Sequence, residues 1–296
     1  MDRVIVSDPS DIFFPFLREI FEESSVAYHG TGAVNAEGIK TSGWRTGVLP
    51  YEWSDVLKVL KWCEQLRLEF SDKEGRYGVL RAFSAGVADA YVAAKPVSFS
   101  ISYWYARNYA ANPDGETIAA LRAVLFKLKA MACNLEERAL HERALRHAIK
   151  RSPVTYGETL HDPVKRLEAG FLEERLPEIT HLIEKHAHRV DNFPVVLAVR
   201  LEERQVEPES QSFLGLNSSA RTPFGGAEVR TVPEAIVRPD QLVACIEFPC
   251  GVRLWTPFAN RQLPLPWKLG TRRLNDLHDT ALKTVYERGF RFNEGG

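Results

Sequence analysis

Residues 28–45 read Tyr-His-Gly-Thr-Gly-Ala-Val-Asn-Ala-Glu-Gly-Ile-Lys-Thr-Ser-Gly-Trp-Arg, the most informative stretch of this chain. A short apolar run ends here at His29-Gly30, which predicts a strand that brings an imidazole to the rim of a cleft. The glycine lets a planar ring approach the backbone closely, because no Cβ intervenes. The backbone amide and carbonyl can then pair with a ligand that carries an amide. From these residues alone, the alternative is a histidine at a strand end followed by an ordinary glycine turn.

The spacing of this stretch resembles the first NAD-binding motif of the ADP-ribosyltransferases of the diphtheria-toxin and poly(ADP-ribose) polymerase type. The shared positions, over 17 residues without a gap, are His-Gly-Thr at 29–31, Asn35, Gly38-Ile39, Gly43 and Arg45. The resemblance covers residues 26–110 and 193–250. It implies an α+β fold with a split, mostly antiparallel two-sheet core, in which NAD lies across the cleft as a substrate.

The resemblance also implies a role for individual residues of the NAD site. His29 would hold a ribose, Gly30 would pair with the nicotinamide carboxamide, and Arg45 would lie toward the adenosine side. Thr31 and Ser100 would belong to the same site. Cleavage of the nicotinamide–ribose bond passes through a transition state that resembles an oxocarbenium ion. The protein must therefore hold the nicotinamide flat, orient the ribose and place a carboxylate near the anomeric carbon.

The second motif joins a predicted strand, Ser98-Phe99-Ser100, to a predicted helix over residues 102–111. Within that helix, Ala106-Arg-Asn-Tyr109 resembles the Ser-Ala-Asn-Tyr segment of the family. This implies that Tyr109 stacks on nicotinamide. The chain departs from the family twice, because Ala106 replaces a common serine and Ser98 replaces a common tyrosine. Tyr103 or Tyr105 could compensate for these two departures, and we take Tyr105 as a further NAD-binding residue. From the residues alone, the aromatic side chains of this helix could instead be a core-facing surface.

The third motif supplies the carboxylate. Glu228 follows Gly225-Gly226-Ala227 and begins a predicted strand over residues 228–232. A carboxylate at such a position can face a cleft with little steric cover. The order His, Tyr, Glu on three strand-like elements is similar to the order in the family, and the resemblance implies that Glu228 drives the transfer. Taken alone, Glu228 would be an exposed glutamate on an edge strand.

The loop before Glu228 is where this family usually recognises its acceptor. Gly226 stands where relatives that modify arginine carry Gln or Glu, so arginine is a poor candidate acceptor. Arg221 and Phe224 can contact a phosphate and stack on a base, or they can simply be solvated loop residues. From Arg261 onward the chain has seven Lys or Arg against four acids. We therefore favour a nucleic-acid acceptor, RNA ahead of DNA.

The patterns predict a single domain with four parts, of which the core is formed by two segments. These are an N-terminal helix (1–25), a core (26–129 and 193–256), a helical insertion (130–192) and a basic C-terminal tail (257–296). Within the core, residues 51–70 have helical periodicity, residues 123–129 alternate slightly in favour of a strand, and residues 194–201 and 241–248 read as strands. Six of the eight histidines lie in the insertion, but no spacing fits a metal site, so we expect no metal.

Bulk composition narrows the class of protein. The 296 residues are 45% hydrophobic with a net charge of −1, which leaves no global field to hold a polyanion. Four cysteines without metal spacing indicate reduced thiols in a cytoplasmic protein. Asp8 and Asp11 precede any apolar run, and no run of 18 apolar residues occurs. We therefore expect neither a signal peptide nor a membrane span.

These expectations describe an NAD-dependent mono-ADP-ribosyltransferase, a glycosyltransferase that modifies a macromolecule. By the habit of the family, it would suit a bacterial toxin or phage-defence effector that a neutralising antitoxin protein restrains. The sequence leaves several alternatives open: modification of a protein target, NAD glycohydrolysis, RNA 2′-phosphotransfer, or a catalytically inactive binding module. Rossmann, Walker and G-x-S-x-G motifs do not occur in the sequence.

Overall fold

The computed structural model describes residues 1–7, 23, 25–45, 51–84, 97–101, 103–214, 228–232 and 235–252. The predicted acceptor residues Arg221 and Phe224 lie outside the described residues. So do residues 8–22 and 24 of the predicted N-terminal helix (1–25) and the whole basic tail, 257–296.

The chain divides into two compact units. One unit contains Met1–Val48, Ala93–Gly115 and Val190–Gly296, and the other contains Leu49–Val92 and Glu116–Arg189. The second unit overlaps the stretch 130–192 that the sequence marks as an insertion, and it also takes in residues 49–92 and 116–129.

Eight strands are described, all in the first unit. They are Asp2–Ile5 (β1), Val26–Gly32 (β2), Trp44–Arg45 (β3), Ser98–Ser100 (β4), Pro194–Arg200 (β5), Glu228–Arg230 (β6), Ile236–Val237 (β7) and Leu242–Glu247 (β8). Six form one sheet in the order β1-β8-β5-β2-β4-β6, and β3 pairs with β7 in a separate ribbon. β1 and β8 run parallel, whereas the other pairs between described strands are antiparallel.

The sheet is buried on both faces at its centre. β5 is buried at every position except Arg200, as expected for a central strand with a continuous apolar run. On one face, Tyr28 packs with Val196 and Ala198. On the opposite face, Phe99 packs with Leu197. The alternation of side chains along each strand therefore divides the sheet residues between two apolar clusters.

Nine α-helices are described. They are Ala33–Ser42 (α1), Trp53–Leu66 (α2), Arg76–Ser84 (α3), Tyr103–Ala110 (α4), Glu116–Cys133 (α5), Leu135–Arg151 (α6), Pro153–Glu168 (α7), Phe171–Lys185 (α8) and Pro208–Leu214 (α9). The predicted helices at 51–70 and 102–111 are confirmed by α2 and α4, and the fold is α+β as expected. None of the described helices has the length and apolarity that crossing a membrane requires.

The slight preference for a strand at residues 123–129 was wrong, because this segment lies within α5. The buried residues of α5 include Leu121, Val124, Leu125 and Leu128, which recur at the three- and four-residue intervals of a helix. That face packs in the helical unit together with residues of α2, α7 and α8. The helical period over 18 residues therefore outweighs the short local alternation.

The N-terminal segment contains a strand that the sequence did not predict. β1 pairs with β8, and Arg3 donates two hydrogen bonds to Glu247, from Nε at 3.0 Å and Nη2 at 2.9 Å. Lys40 of α1 also lies 3.4 Å from the Glu247 carboxylate. Glu247 is almost fully buried, so these two cations compensate a carboxylate that would otherwise be costly to bury.

Candidate functional site

The three sequence motifs lie on neighbouring strands of the sheet. β4 lies between β2, which carries His29, and β6, which begins at Glu228. Tyr28 pairs with Ser100, and Ser100 pairs with Glu228, so these three residues form one row across the strands. Residues widely separated in the sequence thus meet at one edge region of the sheet.

β2 and β4 have no described ladder pair beyond this row, and we call the region between them there the opening. Their described pairing is confined to Tyr28 and Ser100. At the two ends of the β2–β5 ladder, the amides of Leu201 and Ala33 donate to the carbonyls of Ser25 and Phe193, respectively. In an antiparallel pair, successive residues of a strand point their backbone groups alternately toward and away from the partner strand. By this alternation, the backbone amide and carbonyl of Gly30 point away from β5. Those two groups therefore point into the opening between β2 and β4.

The imidazole of His29 occupies the start of this opening. Its Nδ1 lies 2.8 Å from the carbonyl oxygen of Ser98, so Nδ1 carries the proton and donates it. Burial lowers the pKa of His29 to about 4, against the opposing effect of the Ser98 hydrogen bond. The ring is consequently neutral near pH 7, and Nε2 is its hydrogen-bond acceptor.

Two neutral histidines make stability depend on pH. Burial lowers the pKa of both His29 and His141 to about 4, whereas an unfolded histidine titrates near 6.5. Between these values the unfolded chain binds more protons, so the free energy of unfolding should fall as pH drops from about 6.5 toward 4. We expect a lower urea midpoint at about pH 5 than at about pH 7, and a smaller difference for His29→Gln. Equal midpoints for the unmodified chain would contradict this prediction.

Glu228 lies at the exposed edge of the sheet, on β6. Its carboxylate accepts a hydrogen bond from Arg230 Nη2 at 2.9 Å and another from the hydroxyl of Ser98. Partial burial would raise the pKa of Glu228, but these two hydrogen bonds and the charge of Arg230 lower it overall. The side chain is 43% exposed and ionised near neutral pH, as a group that stabilises positive charge requires.

Ser98 connects His29 and Glu228, whose side chains project from opposite faces of the sheet. Glu228 shares the row of Tyr28, whereas His29 is the next residue along β2 and lies against Phe99 on the other face. The carbonyl of Ser98 accepts from His29, and its hydroxyl donates to Glu228. Ser98 therefore bonds to both candidate residues.

Helix α4 packs directly on β2 at Gly30. A Cβ at this position would lie 1.9 Å from the carbonyl oxygen of Ala106 and 2.6 Å from the amide nitrogen of Ala110. The neighbouring residues Tyr105 and Tyr109 are 38% and 47% exposed, with ring centroids 5.0 Å apart. Exposed rings on the helix that contacts Gly30 suit the stacking role that the resemblance implies for Tyr109.

The remaining predicted residues have different surroundings. Thr31 and Ser100 are buried. Arg45 pairs through its backbone with Ile236 in the ribbon, and its side chain lies outside the described part of the chain. In the helical unit, His141 and His186 are buried with protein partners. Among the described residues, no group of His, Cys, Asp or Glu is arranged to hold a metal ion.

Sequence reasoning missed Trp44, Phe99 and Arg230 as neighbours of the site. Trp44 and Phe99 pack against the His29 ring, and Arg230 pairs with Glu228. The alternation along β6 was the available signal for Arg230, because residues two apart in a strand share a face. No comparable signal links Trp44 to His29, since they belong to different sheets.

Comparisons with protein-family models, with curated proteins and with solved structures returned no match for this chain.

Proposed function

We propose that this protein is an NAD-dependent mono-ADP-ribosyltransferase. The observation that carries the proposal is the connection of three elements through Ser98: the opening between β2 and β4, the neutral His29 at its start, and the ionised Glu228. The order of the three motif strands agrees with the order His, Tyr, Glu of the sequence resemblance. NAD is the substrate whose chemistry uses all three features.

Each feature has a task in breaking the nicotinamide–ribose bond. The backbone groups of Gly30 would pair with the carboxamide, and Nε2 of His29 would accept a hydrogen bond from a ribose hydroxyl. Tyr109, with Tyr105 beside it, would stack on the nicotinamide. As the bond breaks, its electron pair leaves with nicotinamide and positive charge develops at the anomeric carbon. Glu228 would stabilise that charge until an acceptor oxygen or nitrogen attacks and loses its proton.

The acceptor that we propose is a macromolecule, with nucleic acid favoured and RNA ahead of DNA. Arg230 supports this preference, because a guanidinium 52% exposed beside Glu228 offsets the repulsion between that carboxylate and an approaching phosphate. β6 is at the end of the described strand order, so an acceptor can approach Glu228 from the sheet edge. A toxin or defence effector restrained by a neutralising protein, acting in the cytoplasm, remains part of this proposal.

The acceptor class can be identified in one experiment. The purified chain is incubated with NAD labelled in its adenosine part and with a cell extract separated into protein, RNA and DNA fractions. We expect label to enter the RNA fraction, and treatment with ribonuclease should release it in small fragments. Label in protein instead would assign the alternative acceptor, and free ADP-ribose with released nicotinamide would identify a glycohydrolase. Intact NAD in every reaction would overturn the proposed function.

A further inference from the structure

We propose that Trp44 is a positioning residue that holds the His29 imidazole in the orientation presenting Nε2 to a ribose hydroxyl. That the ligand group is a ribose hydroxyl rests on the proposed function above. That Trp44 restrains the imidazole rests on the geometry of the rings alone. Trp44 occupies an unassigned position of the first motif, between Gly43 and Arg45.

Three aromatic rings pack edge to face around the start of the opening. The centroids of His29 and Trp44 are 4.2 Å apart, and those of Trp44 and Phe99 are 5.0 Å apart. His29 and Phe99 complete the group at 5.7 Å. All three pairs have steep interplanar angles, the arrangement in which the positive edge of one ring meets the negative face of another.

Three contacts therefore restrain one imidazole. The Ser98 carbonyl fixes the ring at Nδ1 but leaves it able to tilt about that hydrogen bond. Trp44 is close enough to block tilting on its side, and Phe99 does so from β4. Together they hold Nε2 in one direction, which a hydrogen bond to a ligand requires.

The preceding turn places Trp44 here. Gly43 has a φ of 72°, and its amide donates to the carbonyl of Ile39 at the end of α1. A Cβ on Gly43 would lie 2.4 Å from the carbonyl oxygen of Val237, so the turn and the ribbon both favour glycine. Trp44 then pairs with Val237 in the ribbon. The spacing of Gly43 and Trp44 within the motif thus has a structural reason that does not depend on a ligand.

Loss of the indole should change the properties of His29. Burial is the main cause of its low pKa, and no charged side chain of the described residues contributes to that shift. Removing Trp44 would admit water to the ring, so the pKa should rise toward the ordinary histidine value. A residue that only stabilised the ribbon would affect thermal stability but would leave the His29 pKa unchanged.

The test compares Trp44→Ala with Trp44→Phe in the full chain. The His29 pKa and tautomer are measured by nitrogen-15 NMR, with His29→Gln to assign the signal. We expect the pKa to rise from about 4 to above about 5 in Trp44→Ala and to remain near its original value in Trp44→Phe. Trp44→Leu, which keeps apolar bulk, provides the comparison if the alanine variant does not fold.

Kinetics separate this proposal from the proposed function. If NAD is cleaved, Trp44→Ala should raise KM for NAD about tenfold with a smaller change in kcat, because ribose binding is impaired. An altered His29 pKa in a chain that cleaves no NAD would support the positioning role and refute the enzyme. An unchanged His29 pKa and tautomer in folded Trp44→Ala or Trp44→Leu would overturn the positioning role, whatever the activity.

Discussion

Replacing Glu228 with glutamine is expected to lower kcat for NAD cleavage by about 100- to 1000-fold. The reason is electrostatic, because glutamine has nearly the shape of glutamate but cannot offset the positive charge that develops at the anomeric carbon. The pKa of Glu228 is lowered by its partners, so the carboxylate is charged at the pH of the assay. The loss should therefore appear in kcat more than in KM for NAD.

Glu228→Gln should remove the charge of this side chain and leave its hydrogen bonds and the stability of the chain nearly unchanged. The amide oxygen of glutamine can still accept from Arg230 and from Ser98, which bond to the carboxylate in the unmodified chain. Because 43% of the Glu228 side chain is exposed and its partners are at the sheet edge, we expect the free energy of unfolding to change by less than about 1 kcal/mol. A large loss of activity in a chain of normal stability would then report on the chemistry alone.

Glu74→Gln is the matched control. Glu74 is 76% exposed in the helical unit and lies 3.8 Å from Arg76, so it too is an exposed glutamate beside an arginine two residues away. Release of nicotinamide is measured for both variants under identical conditions. The control should retain full activity. Equal rates for Glu228→Gln and the unmodified chain would show that Glu228 is not the stabilising carboxylate, even if NAD is cleaved.

Replacing Gly30 with alanine is expected to destabilise the sheet unit by about 3 kcal/mol, at the upper end of overpacking penalties. The new Cβ would lie 1.9 Å from the carbonyl oxygen of Ala106, so helix α4 or strand β2 must shift. The two nearest atoms, the carbonyl oxygen of Ala106 and the amide nitrogen of Ala110, are backbone atoms of α4 and not parts of a flexible side chain. The strain cannot be relieved by a change of rotamer.

Gly38 offers a contrasting control within the same motif. A Cβ at Gly38 meets no atom within 4 Å among the described residues, and the residue lies inside α1. Gly38→Ala should therefore stabilise the chain by about 0.5–1 kcal/mol, since alanine favours the helix. Urea unfolding of both variants, followed by circular dichroism, gives the two free energies. The packing argument fails if Gly30→Ala unfolds at the same midpoint as the unmodified chain.

This pair of glycines shows how a motif combines different requirements. The resemblance gives Gly30 a role toward the carboxamide, and the structure adds a separate one, the close approach of α4. Both roles require that residue 30 has no Cβ. The first uses the backbone amide and carbonyl of Gly30, and the second uses the space beside its Cα. Gly38 has no such neighbour, so its place in the motif has no packing explanation in the described structure.

Long periodic segments were predictable from the sequence alone. The helical pattern over residues 51–70 identifies α2, because its apolar positions recur along one face over 14 residues. The apolar run of β5 is similarly clear. Residues 2–5 have no such pattern, and β1 forms because β8 provides a parallel neighbour and Glu247 a partner for Arg3. Short segments take their structure from tertiary pairing when their own periodicity is too brief to specify it.

Periodicity and composition predict the α+β class, and the three motifs supply the residue types available for chemistry. Which of those residues lie close together depends on the tertiary structure. It placed β4 between β2 and β6, ended the described β2–β4 ladder at Tyr28, and made Ser98 the residue that bonds to both His29 and Glu228. The bond from His29 joins residues 69 positions apart. Local periodicity carries no information at that distance, because cross-strand contacts depend on register and on the packing of the whole sheet.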